Sequence, residues 1–140
     1  MQVRQLTLAR SKGDCEHVDT LILVRDGGVS GDCHSAKDGS VSLLSGEAEQ
    51  EIRTAGGLCA GRFSANIITI GVDYAKLRVG ALLQINHCTL EITRVGKPCF
   101  AACSLVQHRS ACPLPQNCAF ACVVSGGTVH PADPIEVMQP

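Results

Sequence analysis

The richest chemistry in this sequence is thiol chemistry. Cys99 follows Gly96-Lys97-Pro98, Cys103 comes four residues later, and Cys112 precedes Pro113-Leu114-Pro115. A proline at a strand end often presents the next side chain to a pocket. Lys97 and Arg94 are close enough in sequence to favour the thiolate of Cys99. Thiolate is the form that ligates soft metals and carries sulfur as a persulfide. Cys103 is the candidate resolving thiol. The alternative is that both are structural cysteines in a turn.

Two polar segments are further candidates. In Gly31-Asp32-Cys33-His34, a carboxylate and an imidazole lie two residues apart between glycines and can face one site. Each can hold a polar ligand or orient a thiol, or Asp32 can simply bond local backbone amides in a turn. In Phe63-Ser64-Ala65-Asn66, the Asn stands at the start of an apolar run, where it can cap a loop or bind a ligand carbonyl.

The chain has nine cysteines, an odd number that excludes complete intramolecular pairing. No signal-peptide pattern is visible in Met1 to Arg10. The expectation is therefore reduced thiols and a cytoplasmic protein. Cys59, Cys88 and Cys122 lie in apolar stretches and read as small core hydrophobes. Zinc is a minority reading. Cys99, Cys103, Cys112, Cys118 and Cys122, or Cys15-Glu16-His17 with Cys33-His34, supply enough ligands, but neither set has the usual knuckle spacing.

The elements that must position these groups are mostly strands. Gln2 to Leu8 reads as an edge strand and Thr20 to Val24 as a short strand closed by Arg25-Asp26-Gly27-Gly28. Leu83, Ile85, Cys88, Leu90 and Ile92 alternate around Asn86-His87 as a hairpin. Ile67 to Ile70, Phe120 to Val124 and Ile135 to Met138 are further strands. One helix is expected over Ser45 to Ala55. Ser45 is its N-cap, Glu47 and Glu49 lie in its first turn, Ala48, Ile52 and Ala55 share one face, and Gly56-Gly57 follows. Short strands with Gly and Pro turns point to a barrel or a sandwich.

At 140 residues the chain has the size of a single domain, 1–140, that can bury one core. Aromatics are scarce, with three Phe, one Tyr and no Trp, so that core must be aliphatic. A net charge of -1 offers no basic footprint, so nucleic acid is not expected as a partner. No apolar run approaches the ~20 residues of a membrane helix. Phosphate-binding glycine loops, nucleophile elbows and HExxH patterns are missing.

Taken in order, the segments resemble the MOSC domain family, named after the C-terminal part of molybdenum cofactor sulfurase, in its small free-standing bacterial form. The resemblance runs through Gly31-Asp32-Cys33-His34, Val41-Ser42-Leu43-Leu44, Arg62 to Asp73 and Val79-Gly80. It continues through Leu90-Glu91-Ile92-Thr93, Gly96-Lys97-Pro98-Cys99 and Cys103. It closes on Cys112, Pro115, Phe120-Ala121, Gly126-Gly127, Asp133 and Ile135-Glu136-Val137. It implies a closed β-barrel with one main helix and short peripheral helical turns, and a role in molybdenum cofactor chemistry. Cys99 is then the family's key cysteine, as molybdenum ligand or persulfide acceptor. Cys103 is a second thiol within reach, and Asp32, His34, Asn66 and Lys97 are cofactor-binding residues. Pyridoxal phosphate would belong to a partner cysteine desulfurase. A molybdoenzyme is the other implied partner.

Departures from the family pattern are Ala65 for a Glu, Lys37-Asp38-Gly39-Ser40 for an aromatic-His-Arg segment, Phe100 for a His, and Gln116-Asn117-Cys118 for Arg-Glu-Gly. They underlie the alternative reading, a non-catalytic structural or interaction domain with a degenerate site. A small zinc-binding protein is the third.

Overall fold

The computed structural model describes residues 1–11, 14–33, 41–55, 65–96 and 116–140. The strands are β1 (Gln2–Ser11), β2 (Asp14–Val18), β3 (Leu21–Val24), β4 (Gly28–Val29), β5 (Val41–Ser45), β6 (Ile67–Ile70), β7 (Leu82–Ile85), β8 (Cys88–Val95), β9 (Cys118–Ser125), β10 (Gly127–Val129) and β11 (Ile135–Met138). The described helix is α1 (Glu49–Ala55).

Eight strands form one sheet in the order β11-β7-β8-β9-β5-β6-β1-β2, and β10-β3-β4 form a second. All pairings are antiparallel except β5 with β6. The described pairing is thus of two open sheets. A closed barrel would need β1 to meet β11 as a ladder. What joins them is an isolated bridge, Gln2 to Pro134, supported by backbone bonds Val3 N–H to Asp133 O (2.9 Å), Ala132 N–H to Val3 O (2.7 Å) and Ile135 N–H to Met1 O (3.0 Å).

The hairpin reading holds. β7 and β8 pair with Ile85 opposite Cys88, and Asn86 takes the left-handed φ of 55° that Asn tolerates better than most residues. Other boundaries differ for physical reasons. β1 is not an edge strand, because β6 pairs along its first half and β2 along its second. The helix begins at Glu49, not at Ser45. Ser45 is held in the sheet, opposite Thr69 and with its N–H on Asn117 O (2.9 Å). Its hydroxyl still caps, accepting the Ala48 N–H (3.3 Å) in the turn that leads to α1.

Strand alternation divides the apolar residues between two clusters. Leu6, Val41, Leu43, Ile67, Leu83, Leu90, Ile92 and Ala121 face one core, which Leu21, Leu23, Val29 and Val129 of the second sheet complete. Leu44, Ile68 and Cys118, with Ala48 and Ala65, form a smaller cluster on the opposite face. β5 is buried at all five positions, as a strand flanked by neighbours and covered on both faces should be.

With few aromatics available, close backbone approach matters. A Cβ on Gly126 would sit 2.5 Å from the Leu23 carbonyl oxygen, and Gly127 has a φ of 151°. Gly126→Ala is therefore expected to cost about 1–3 kcal/mol in thermal or denaturant unfolding. Gly31→Ala has open space around it but a φ of +83°, and should cost about 1–2 kcal/mol through backbone strain alone.

Among the described residues, two groups make stability depend on alkaline pH. Burial pushes the Cys88 thiol above its ordinary 9.0, and the nearby Asp133 charge adds to this. Burial pushes the Tyr74 phenol far above its ordinary 10.0, with the Thr69 hydrogen bond opposing and the nearby Cys118 and Glu47 raising it further. Both native pKa values exceed the unfolded ones, so their contribution is intact below the unfolded pKa and is lost as pH rises through the folded one. Denaturant midpoints should begin to fall as pH passes about 9 and fall more steeply past about 10. Tyr74→Phe should flatten the steeper limb.

Candidate functional site

The polar centre of the described structure lies where the β1–β6 ladder stops, at Leu6 opposite Ile67. Beyond that point Thr7 and Ala9 still present backbone N–H and C=O groups that must be paired. Asn66 and Asp32 supply the partners. Asn66 O accepts the Thr7 N–H (2.9 Å) and its Nδ2 donates to Thr7 O (3.1 Å). Asp32 Oδ2 accepts the Ala9 N–H (3.0 Å), and the Cys33 N–H donates to Ala9 O (2.7 Å). Two side chains and two backbone groups, those of Asn66 and Cys33, thus continue the sheet edge where strand β6 has ended.

The same Asn66 ties in β5. Its N–H donates to Ser42 Oγ (2.9 Å), while its Oδ1 accepts from Ser42 N–H (3.1 Å) and Ser42 Oγ–H (3.1 Å). Its Nδ2 also donates to Asp32 Oδ2 (2.8 Å). Both amide protons and both lone pairs of the Asn66 side chain are therefore spent. Asp32 and Asn66 are 7% and 5% exposed, and at that burial an unmade bond would be costly. Asp32 Oδ2 reaches well beyond its own turn, to Ala9 and Asn66. Its partners are 23 and 34 residues away.

A cationic group lies in the same row across the sheet. Ser42 pairs with Phe120, which pairs with Arg94, and the Arg94 guanidinium sits 4.3 Å from the Phe120 ring centroid. A cation over an aromatic face at an exposed position is worth about 0.5–1 kcal/mol. Arg94 is exposed and rests on this ring, at the end of the strand that leads to residue 97. Sequence reasoning missed both Ser42 and this stack. The signal for Ser42 was a polar residue inside the apolar run Val41-Ser42-Leu43-Leu44.

Of the sequence-derived site residues, the structure brings Asp32 and Asn66 into direct contact. His34, Lys97, Cys99 and Cys103 lie outside the described residues, as do Cys59 and Cys112. The described cysteines are thiols in three settings. Cys15 and Cys33 are exposed. Cys88 and Cys118 are fully buried, and Cys118 packs in the smaller apolar cluster. Cys122, expected in the core, is half-buried because β9 turns Ala121 and Val123 inward and Cys122 outward. Its Sγ lies 3.8 Å from Glu91 Oε2. Among the described residues, no three His, Cys, Asp or Glu side chains converge as metal ligands. None of the described helices is long and apolar enough to cross a membrane.

The network couples the segments that the motif comparison had placed together, and a family model of the MOSC domain matches residues 30–136. The chain belongs to the MOSC domain family. Among solved structures, it resembles the YuaD protein of Bacillus subtilis with a TM-score of 0.72 and 18% identity, over 99% of this chain and 96% of that one. YiiM of Escherichia coli gives 0.68 and 16%, over 100% of this chain and 71% of that one. YiiM of Geobacillus stearothermophilus gives 0.62 and 12%, over 99% and 75%. At these identities the likeness establishes the fold. No curated protein matches the sequence.

Asn66→Ala in this MOSC domain would strand Thr7 O, Ser42 N–H and one Asp32 acceptor. It should cost about 3 kcal/mol or more in denaturant unfolding. Ser42→Ala, which leaves the Asn66 amide its other partners, should cost only about 1–2 kcal/mol. Asn66→Asp sets a carboxylate against Asp32. Its loss at neutral pH should shrink as pH falls, because protonating either carboxylate removes the repulsion and restores a donor. Equal losses for Asn66→Asp at neutral and acid pH would contradict this assignment.

Proposed function

We propose that this MOSC domain handles sulfur for molybdenum cofactor chemistry, with Cys99 as the sulfur-accepting or metal-ligating thiol. The observation that carries the reading is the family match, which spans residues 30–136 and includes Gly96-Lys97-Pro98-Cys99. Membership associates the chain with molybdenum cofactor-related binding and sulfur chemistry. The role of Cys99 is the proposal.

The sulfur step needs no metal. The Cys99 thiolate attacks the outer sulfur of a persulfide on a partner cysteine desulfurase. A sulfur–sulfur bond forms at Cys99 as the partner's breaks, and the partner's cysteine leaves as thiolate, so no net oxidant is consumed. Lys97 would favour the thiolate, and Cys103 would be the second thiol that later resolves the persulfide. When bound, the cofactor would supply a metal for which a cysteine thiolate is a suitable soft ligand.

Asp32 and Asn66 do not fit a direct grip on the anionic part of such a cofactor. Asp32 is itself an acid, and the Asn66 amide has no hydrogen-bonding capacity left. Their proposed role is to frame the site by fixing β1, β5 and the Gly31–Cys33 turn, which precedes His34 in sequence, against one another. A barrel-like closure through the Gln2–Pro134 bridge is part of the same proposal. The saturation of Asn66 also favours one second reading, a structural or interaction domain whose polar centre serves only the fold.

Mass spectrometry after incubation with a cysteine desulfurase and cysteine separates the two readings. The expected result is a mass increase of one sulfur on the Cys99 peptide, lost in Cys99→Ser with the thermal melt unchanged. An unmodified Cys99 peptide, or a Cys99→Ser variant that melts markedly lower, would support the structural reading.

A further inference from the structure

Arg94 reaches the surface through an irregularity in the β8–β9 ladder. Ile92 pairs with Ala121 and Arg94 with Phe120, so β8 advances two residues where β9 advances one. Thr93 is the extra residue of a β-bulge. In a regular ladder Thr93 would face Phe120, and Arg94 would face Ala119, which is buried in the main core. The bulge sets Arg94 opposite Phe120 instead and leaves Val95 to pair with Ala119 and pack on that core. Bulges re-aim side chains in this way beside functional sites.

The re-aimed guanidinium lies over the Phe120 ring, 4.3 Å from its centroid. Such a stack holds the group through its face and uses none of its five N–H donors, which lie in its plane. Among the described residues, no hydrogen bond or ion pair engages those donors. The other described arginine side chains differ. Arg4 donates to Gly46 O (3.1 Å), Arg10 pairs with Glu16 (2.6 Å), and Arg25 and Arg78 are exposed with no described ring beneath them. Glu91 precedes Arg94 on the same strand, but its Oε2 meets Cys122 Sγ (3.8 Å).

The stack shares a row with the polar centre. Phe120 pairs with Ser42, whose hydroxyl and N–H donate to Asn66. With strands about 4.8 Å apart, the Cα atoms of Arg94 and Ser42 are about 10 Å apart. Cys99 follows Arg94 by five residues in the sequence. A planar, permanently charged fork that is fixed through its face and open along its edge matches two oxygens of a phosphate or a carboxylate. A phosphate monoester carries the larger charge at neutral pH, and against an exposed cation the larger charge is favoured.

We propose that Arg94, braced by Phe120, is an anion-binding residue for the phosphate group of a small-molecule ligand. That this ligand is the one handled at Cys99 rests on the function proposed above. The anion site itself does not.

The test is titration of the full, nitrogen-15-labelled chain with inorganic phosphate at constant ionic strength, read by NMR at the arginine Nε–H groups. Sodium chloride and acetate are the comparison anions. The expected result is a saturable shift of the Arg94 signal, with Arg25 and Arg78 no different from the chloride control. Arg94→Lys keeps the charge and loses the fork, and should weaken phosphate binding roughly tenfold, read at the backbone amides of Ser42 and Phe120. Phe120→Leu, checked by thermal melt, should weaken it severalfold with Arg94 still present. No saturable shift at Arg94, equal shifts at Arg25 and Arg78, undiminished binding in Arg94→Lys, or acetate binding as tight as phosphate would overturn the proposal. Cys99→Ser should bind phosphate as wild type does, and loss of binding there would also overturn it. Sulfur loading of Cys99 is read separately by mass. Phosphate binding without sulfur loading would refute the sulfur-carrier reading and leave the anion site standing, and sulfur loading without phosphate binding would do the reverse.

Discussion

The structure turns on what happens to strand β1 after its ladder to β6 ends. A backbone that leaves a sheet must find other partners or water, and here the departing edge is buried. Asn66 makes six hydrogen bonds at this point, through its backbone N–H and C=O and through all four sites of its side chain. No other uncharged side chain offers two donors and two acceptors in so little space, apart from the longer Gln. Asp32 adds the last acceptor and carries the Gly31–Cys33 turn onto the same edge. Three segments distant in sequence are locked together by two side chains.

That lock explains the arrangement of the rest. β5 is fixed to β6 in parallel just beyond it, and β9 and β8 follow in antiparallel pairing. The end of β8, from which the chain runs on to Cys99, is therefore positioned relative to Asp32 and Asn66 by successive ladders, and the Arg94–Phe120 stack lies in the same row. Because aromatics are few, the core is filled by branched aliphatics and by close backbone approach, most tightly at Gly126 against Leu23. The polar centre and the aliphatic core are complementary. One fixes the strand order at the rim, and the other holds the second sheet against the first.

The cysteines illustrate how far residue type leaves a role undecided. Cys88 and Cys118 are packed as small hydrophobes, Cys122 faces a carboxylate across the sheet, and Cys15 and Cys33 lie open to solvent beside the same alanine. Their neighbours in sequence do not separate these cases. Which face of a strand they occupy, and which strand lies beyond, does.

By itself the sequence determined the strand-rich class, the β7–β8 hairpin, the last strand from Ile135 to Met138, and the family. All of these rest on local signals: alternation of period two, an Asn at a turn, and motifs read in order. It also placed Asp32 and Asn66 among the residues that matter. Only the tertiary structure decided what they do, because their partners are Ala9, Thr7 and Ser42, separated from them by 23 residues or more. The same holds for the shortened helix and for β1. Ser45 has the chemistry of a cap, yet pairing with Thr69 keeps its backbone in the sheet. Gln2 to Leu8 has the alternation of an edge strand, yet β2 folds back to cover it. Local propensity proposes an element, and long-range pairing fixes where it ends and which of its polar groups remain for chemistry.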